Sequence, residues 1–356
     1  MKNNEKTLSI CIVTWNSKKY LPGLFESIFK QTVLVKENYP LKLSINVVDS
    51  GSRDGSVEFL EKNYPEIHIL RNTHNLGFCK SYNQAIRMST TEYVLVMNAD
   101  IILNEDFIEK MLAKISFKKT EEKIGVVVGK LLRAHFILQN GNDLYDFQKT
   151  QIIDSFGLQM KKNRRFVNIG EGDTDVGQYD NLKSIFGASG ACVMYKRNAL
   201  EDVKYNEEYF DEDFFAYKED VDLAWRLQIA GHKTIFVPEA LAYHFRSMQE
   251  KNKKYTNLNV ARNYRKKSRW IRGLSYRNHL LTLFKNETKR NFLKDCLPIM
   301  WYEFRKFIYL ALFDIKNFKA FLQAIKLISK IKDKRRASMR YRIKNAEGIR
   351  KWISQT

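Results

Sequence analysis

Residues 94–103 read VLVMNADIIL. Val94 to Met97 are apolar, the chain passes through Asn98-Ala99-Asp100, and apolar residues resume at Ile101. An apolar run bounded this way predicts a buried strand whose carboxyl end carries a carboxylate. Spacing alone leaves two readings of Asp100 open. Asn and Asp suit turns, because their short side chains hydrogen-bond to nearby backbone. A strand-end carboxylate also suits a hard cation such as Mg²⁺, which takes one or two protein carboxylates and completes its shell with water and phosphate oxygens.

Outward from this strand, the first half of the chain alternates. Apolar runs at Leu8–Val13, Ile45–Asp49, Ile67–Leu70 and Glu92–Met97 are separated by helical patterns: LPGLFESIFKQ (21–31), VEFLEKNY (57–64) and Phe78–Met88, with DFIEKMLAKI (106–115) after the last. Such alternation predicts an α/β, Rossmann-like fold with a mostly parallel sheet and helices on both faces. Ligands of these sheets bind beyond the carboxyl ends of the strands. Three strands deliver polar residues there: Thr14-Trp15-Asn16, Asp49-Ser50-Gly51-Ser52 and Asn98-Ala99-Asp100. Residues 133–184 are less regular, and NIGEGDTDVGQYDN (168–181) reads as a loop. GASGACVMY (187–195) is a strand entered by small residues. Asp220–Ala230 is helical and ends at Gly231, and Thr234–Val237 is a strand stopped by Pro238.

The chain has 356 residues and a formal net charge of +21. Residues 1–244 carry 31 Lys and Arg against 33 Asp and Glu, whereas residues 245–356 carry 30 against 7, a net of +23. The whole basic excess therefore lies in the last third, which is helical in pattern and rich in aromatics. A division near residue 245 follows, with 1–245 as one large domain and 246–356 as a basic, amphipathic α-helical C-terminal region. Cys11, Cys79, Cys192 and Cys296 are scattered without a CxxC pair, which argues for a reduced chain and against zinc or a disulfide framework. The first apolar stretch stops at TWNSKK without a cleavage site, so it reads as a strand and not a signal peptide. No apolar run approaches the ~20 residues needed to span a bilayer.

Several residues carry candidate chemistry. Asp49, in VVDSGSRDGS, can accept hydrogen bonds from a base or ribose, while Asp54-Gly55 reads as a turn. Asn75 has the character of a cap or turn residue. EDVDLAWR (219–226) puts three acids in a helix's first turn, where the dipole favours them. Asp222 and Arg226, four apart, form a helix salt bridge. Glu219 and Asp220 remain as candidates for a general base. His244, in ALAYHFRS, reads as a packed histidine, and the other five histidines show no metal-binding spacing.

Taken together, VTWNSKKYLPGLFESIFKQ, INVVDSGSRDGS, NLGFCKSYNQAI, YVLVMNADIIL, FGASGACVMY and FDEDFFAYKEDVDLAWRLQIAGHKTIFVPEALAYHF resemble the ordered signatures of glycosyltransferase family 2, in particular its rhamnosyltransferase-like branch. The resemblance covers roughly residues 8–246. It implies the GT-A fold, with a nucleotide-sugar half over about 1–130 and an acceptor half over about 131–245. It also implies a nucleoside-diphosphate sugar donor (dTDP-rhamnose or a UDP-sugar), Mg²⁺ or Mn²⁺, and inversion at the anomeric carbon. Carried onto this chain, it assigns Thr14, Trp15, Asn16, Asp49, Ser52, Asn75, Gly77, Asn83, Asn98 and Asp100 to the donor site. Gly187, Ala188, Ser189, Gly190, Glu219 and Trp225 fall on the acceptor side. Asp220 matches the catalytic base. Asp100 matches the last acid of the Asp-x-Asp motif and His244 a histidine that completes the metal site, while Asn98 replaces the motif's first acid.

The basic third admits two partners, an anionic membrane surface or nucleic acid. No nucleic-acid motif accompanies it, so the expectation is a cytoplasmic enzyme, peripheral at the inner face of the cell membrane, acting on a glycan or lipid-linked acceptor in cell-surface polysaccharide synthesis. A homodimer would be another use for the apolar helix faces. The rival functions are a sugar nucleotidyltransferase, for which TWNSKKYLPG is a poor phosphate loop, and a non-catalytic basic binding protein.

Overall fold

A computed structural model describes residues 5–36, 39–116, 123–138, 145–245, 268–340, 342–344 and 346–353. Residues 246–267, which open the basic third, lie outside the described residues. The strands are β1 (Lys6–Thr14), β2 (Leu41–Asp49), β3 (His68–Arg71), β4 (Tyr93–Asn98), β5 (Ile101–Leu103), β6 (Ile124–Leu138), β7 (Tyr145–Ser155), β8 (Leu158–Met160), β9 (Phe166–Asn168), β10 (Ser184–Ile185), β11 (Cys192–Lys196) and β12 (Lys233–Phe245). The helices are α1 (Leu21–Phe29), α2 (Thr32–Val35), α3 (Ser56–Asn63), α4 (Gly77–Arg87), α5 (Phe107–Ile115), α6 (Arg197–Glu201) and α7 (Glu219–Ile229). The C-terminal helices are α8 (Arg269–Asn286), α9 (Lys289–Lys294), α10 (Cys296–Phe313), α11 (Ile315–Arg340) and α12 (Ala346–Arg350).

From Leu8 to Val13, β1 is apolar at every position but Ser9, because both its faces are covered. Leu8, Ile10 and Ile12 share a cluster with Leu21, Leu24, Phe25 and Ile28 of α1. Cys11 shares the other cluster with Cys79, Tyr82, Ala85 and Ile86 of α4. Each large apolar side chain so buried contributes about 1.5–3 kcal/mol.

The main sheet has the order β10-β12-β6-β11-β4-β1-β2-β3, with β5 on β12 and β7 on β6. β3, β2, β1 and β4 are mutually parallel, as the alternation predicts. Beyond β4 the sheet is mixed. β11 runs antiparallel to both β4 and β6, while β6 and β12 are parallel to each other. The architecture is thus mixed α/β with a C-terminal helical region.

Two expectations change. β12 does not stop at Pro238. Its register with β6 shifts between Val237 and Leu241 and pairing then resumes to Phe245, so the proline sits in an irregularity where no ladder hydrogen bond is required of it. Residues 145–168, expected to be irregular, contain β7, β8 and β9. Cys11, Cys79 and Cys192 are buried, and all four cysteines are free. No helix among the described residues is long and apolar enough to cross a membrane.

The last helices pack on the sheet-bearing part of the chain. Ile349, Trp352 and Ile353 join Phe166, Phe186 and Trp225 in one buried cluster. Basic charge expected to face an external anion is partly used internally. Lys285 and Lys334, only 2% and 1% exposed, are sunk against the acidic segment 208–222.

Candidate active site

Strand register gathers the polar strand ends. Thr14 pairs with Asp49, and Val13 with Asn98, so the ends of β1, β2 and β4 form one edge. Asp49 is fully buried there. Its carboxylate accepts from Thr14 Oγ1 (2.9 Å), from the backbone N–H groups of Gly51 (3.1 Å) and Ser52 (2.9 Å), and from the Ser52 hydroxyl. Ser52 Oγ in turn accepts from the N–H of Asn16 (2.9 Å), and Asn16 Oδ1 from the N–H of Arg53 (2.9 Å). With four donors filling its lone pairs, Asp49 organises the loop. Asn16 is left-handed (φ 51°), and the neighbouring Trp15 is 56% exposed at the edge.

Asp100 lies in the turn between β4 and β5. The antiparallel register of β12 on β5 sets His244 opposite Ile101, next to Asp100. His244 Nε2 is 3.2 Å from Asp100 Oδ1, and His244 Nδ1 is 2.8 Å from Asp154 Oδ2 on β7. An imidazole has two ring nitrogens, so it can engage one carboxylate on each side or turn one nitrogen to a cation. Asp154 at Nδ1 would fix the tautomer that turns a free-electron-pair Nε2 toward a metal. One carboxylate and one imidazole fit an ion that draws its other ligands from water and phosphate. Among the described residues, no group of three or more His, Cys, Asp or Glu is assembled for a metal.

The second half of the edge comes from α7. Asn98 donates its backbone N–H to Ala191 (2.8 Å), and a Cβ on Gly190 would lie 3.6 Å from Cβ of Asp220. The GASGA segment therefore connects the β4 end to the start of α7. Burial raises the proton affinity of Asp220, against the lowering effects of Lys218 and of backbone donors. Burial first, and the charge of Asp220 second, push Glu219 up to about 8. Glu219 Oε2 is buried without a hydrogen-bond partner among the described residues.

Immediately before this acid pair, Phe215, Tyr217 and Lys218 all have positive φ (63°, 70° and 72°). Non-glycine residues pay about 1–3 kcal/mol each for such backbone and keep it only when neighbours hold it. Asn278 of α8 does so. It is fully buried, and its amide donates to the carbonyls of Phe214 (2.8 Å), Ala216 (2.8 Å) and Tyr217 (2.7 Å). Arg277 adds a bond to the carbonyl of Asp213 (2.7 Å). Sequence reasoning missed Asn278 and Asp154: Asp154 leaves only the trace of an acid after Ile152-Ile153, and Asn278, between Arg277 and His279, leaves none.

Some expected site residues are placed elsewhere. Asn83, expected in the donor-site wall, is fully buried, and its amide bridges to Phe210 O, Glu212 Oε1 and the N–H groups of Tyr209 and Phe210. Asn75 Oδ1 accepts from the N–H of Gly77 (2.8 Å), the turn role its type suggests. Gly77 itself (φ 82°) lets α4 meet Phe215, since a Cβ there would fall 2.6 Å from that ring. Trp225, expected on the acceptor side, is 1% exposed and packs on Phe166 and Phe186. Gly187 abuts Ala224, where a Cβ would leave 2.2 Å, so its small size serves packing. Ala188 is buried too, and Ser189 is only partly so. Asp222 and Arg226 form the expected salt bridge (2.9 Å).

Comparison with known proteins follows the same outline. Residues 9–204 match the model of the family described as glycosyl transferase family 2, and residues 140–328 match that of glycosyl transferase family group 2. An N-acetylglucosaminyltransferase of Bradyrhizobium diazoefficiens is 27% identical over 220 residues, 59% of this chain and 40% of that protein. A poly-beta-1,6-N-acetyl-D-glucosamine synthase of Staphylococcus epidermidis is 25% identical over 212 residues, 58% and 43% of the two chains. The chain thus spans less than half the length of these curated relatives. Among solved structures, S. aureus TarS 1-349 in complex with UDP-GlcNAc superposes with a TM-score of 0.51 at 16% identity, covering 94% of this chain and 89% of that one. GalNAc-T7 with UDP, GalNAc and Mn²⁺ gives a TM-score of 0.55 at 13% identity over 80% and 48%. At these identities, the structural likeness speaks for the fold.

Proposed function

We infer the function from one premise: this chain belongs to glycosyltransferase family 2. It is an inverting transferase that moves a sugar from a nucleoside-diphosphate sugar to a hydroxyl of a glycan or lipid-linked acceptor, in polysaccharide synthesis. The observation that carries this reading is the single edge on which the Thr14, Asp49 and Asn98 strand ends, the Asp100–His244 pair and the Glu219–Asp220 pair are linked. Relatives named for N-acetylglucosamine transfer favour a UDP-N-acetylhexosamine donor. dTDP-rhamnose, which the branch-like Asn98 suggests, is the second candidate.

In this reading the exposed ring of Trp15 stacks on the nucleobase. The Asp49-held loop and Asn16 line the donor, and Asp220 takes the proton of the acceptor hydroxyl as that oxygen attacks the anomeric carbon. Asp100 and His244 would hold Mg²⁺ or Mn²⁺, which supplies charge neutralisation to the departing diphosphate. Residues 1–245 act as the catalytic part, divided near residue 130, and 246–356 as a C-terminal region whose described helices brace it. We assign the reaction to the cytoplasmic face of the cell membrane, where the basic third would be of use.

The test is calorimetry with UDP, with and without Mn²⁺. The wild type should bind UDP more tightly with the metal, and Asp100→Ala should reduce that metal-dependent affinity by roughly 10–100-fold. Metal-independent UDP binding in the wild type, together with no release of UDP from any UDP-sugar, would overturn the reading. A companion variant tests the brace. Asn278→Ala removes the donor that holds the strained loop, so transfer should fall roughly 10–100-fold through misplacement of Asp220, while donor affinity stays within about twofold. Kinetics that instead raise KM for donor and spare kcat would refute that role.

A further inference from the structure

α10 is apolar on two sides. One side is used inside the protein: Ile299 and Leu310 are buried, and His279 Nε2 contacts Glu303 Oε1 (2.7 Å). The other side is covered by none of the described residues. Leu297, Met300, Trp301, Phe304, Ile308 and Leu312 are all exposed, Trp301 by 61%. At 100° per residue these six fall within an arc of roughly 120°, one continuous stripe along the helix. Exposed apolar stripes of this size on a polar chain mark a surface that something covers.

Three observations say what covers it. First, exposed cations flank the helix along the chain: Lys289, Arg290 and Lys294 precede it and Lys316 and Lys319 follow it. Second, Lys289 and Arg290 of the preceding helix α9, with Thr288, Arg335, Met339, Arg342 and Ala346, line a cleft of about 400 Å³ that carries four cations. Third, residues 245–356 carry 30 Lys and Arg against 7 Asp and Glu, so two copies meeting here would bring like charge together. An apolar stripe containing a half-exposed Trp, bordered by cations, is the form of a helix that lies in the plane of an anionic membrane surface.

We propose that α10 docks this chain on an anionic bilayer, with the Leu297–Leu312 stripe among the acyl chains and the cation-lined cleft over the headgroups. The proposal rests on the peripheral location assigned above and gives it a surface. Its test uses no donor sugar and no metal, so its failure would leave the transferase reading standing.

The full chain is sedimented with vesicles of phosphatidylcholine alone, or of phosphatidylcholine with phosphatidylglycerol. It should bind the anionic vesicles, with a blue shift of tryptophan emission. Salt should weaken binding without abolishing it, because apolar burial is not screened. The double variant W301S/F304S changes only exposed positions, so its fold should be retained. It should lose the salt-resistant component and bind roughly tenfold or more weakly. Lys289→Glu with Lys294→Glu should weaken binding to anionic vesicles while leaving the salt-resistant component in place. Three results would each overturn the proposal: no binding to anionic vesicles, equal binding by W301S/F304S, or a wild-type dimer in solution that this variant splits. The last would make the stripe an interface between copies.

Discussion

Replacing Asp220 by Asn should leave donor binding within a few-fold of wild type and lower sugar transfer by roughly 10²–10⁴-fold, the usual contribution of a positioned general base. The substitution keeps the size of the side chain and the first turn of α7, and removes the ability to accept a proton. The pH profile gives a second readout. Burial raises the proton affinity of Asp220, so the base is lost as pH falls through a value above the ordinary carboxylate pKa of about 3.9. The acidic limb of the rate should therefore lie above that value in the wild type and flatten in Asp220→Asn. Glu219 is the competing base, already pushed up to about 8. If Asp220→Asn transferred sugar at near wild-type rate while Glu219→Gln did not, the assignment would pass to Glu219.

Lys334→Met should lower stability at neutral pH by about 3–5 kcal/mol, the scale expected when one partner of a buried ion network is removed. Lys334 Nζ is held by Asp211, by Glu208 (2.7 Å) and by Asp213 (2.8 Å), and Lys285 Nζ reaches Asp211 (2.7 Å) and Asp222 (3.0 Å). Burial alone would raise the carboxyl of Asp211, but the charges of Lys285 and Lys334 outweigh it and hold that carboxyl below the usual range. A depressed folded-state pKa contributes stability that is present above the unfolded value, about 3.9, and is lost as pH falls. The gap between wild type and Lys334→Met in urea unfolding should accordingly stay near its full size down to about pH 4 and narrow as pH falls below that value. Lys330→Met is the control. Lys330 reaches the same Asp213 (2.6 Å) but is 59% exposed, so its loss should cost less than about 1 kcal/mol. Equal effects from the two lysines would mean that the buried network does not hold the 208–222 segment.

The network also marks where sequence reading stopped. The strand-and-helix alternation through residue 115 was readable from periodicity, because a chain buried on both faces of a sheet must be apolar at nearly every position. Thr14, Asp49 and Asn98 were readable as one edge for a related reason: parallel strands end together, so polar residues after them converge. The turn role of Asn75 and the salt bridge of Asp222 with Arg226 are local, and local spacing suffices for both. Other features depend on contacts between residues far apart in the chain. His244 meets Asp154 across 90 residues, Asn278 reaches Phe214 across 64, and Lys334 reaches Asp211 across 123. Composition marked Lys285 and Lys334 as part of a basic surface, and Asn83 and Trp225 as site residues by likeness. Their burial depends on which face of a helix meets which loop. Periodicity and local spacing report the environment along one element, whereas docking between elements is set by the summed packing of all of them, so only the tertiary structure decided those four positions.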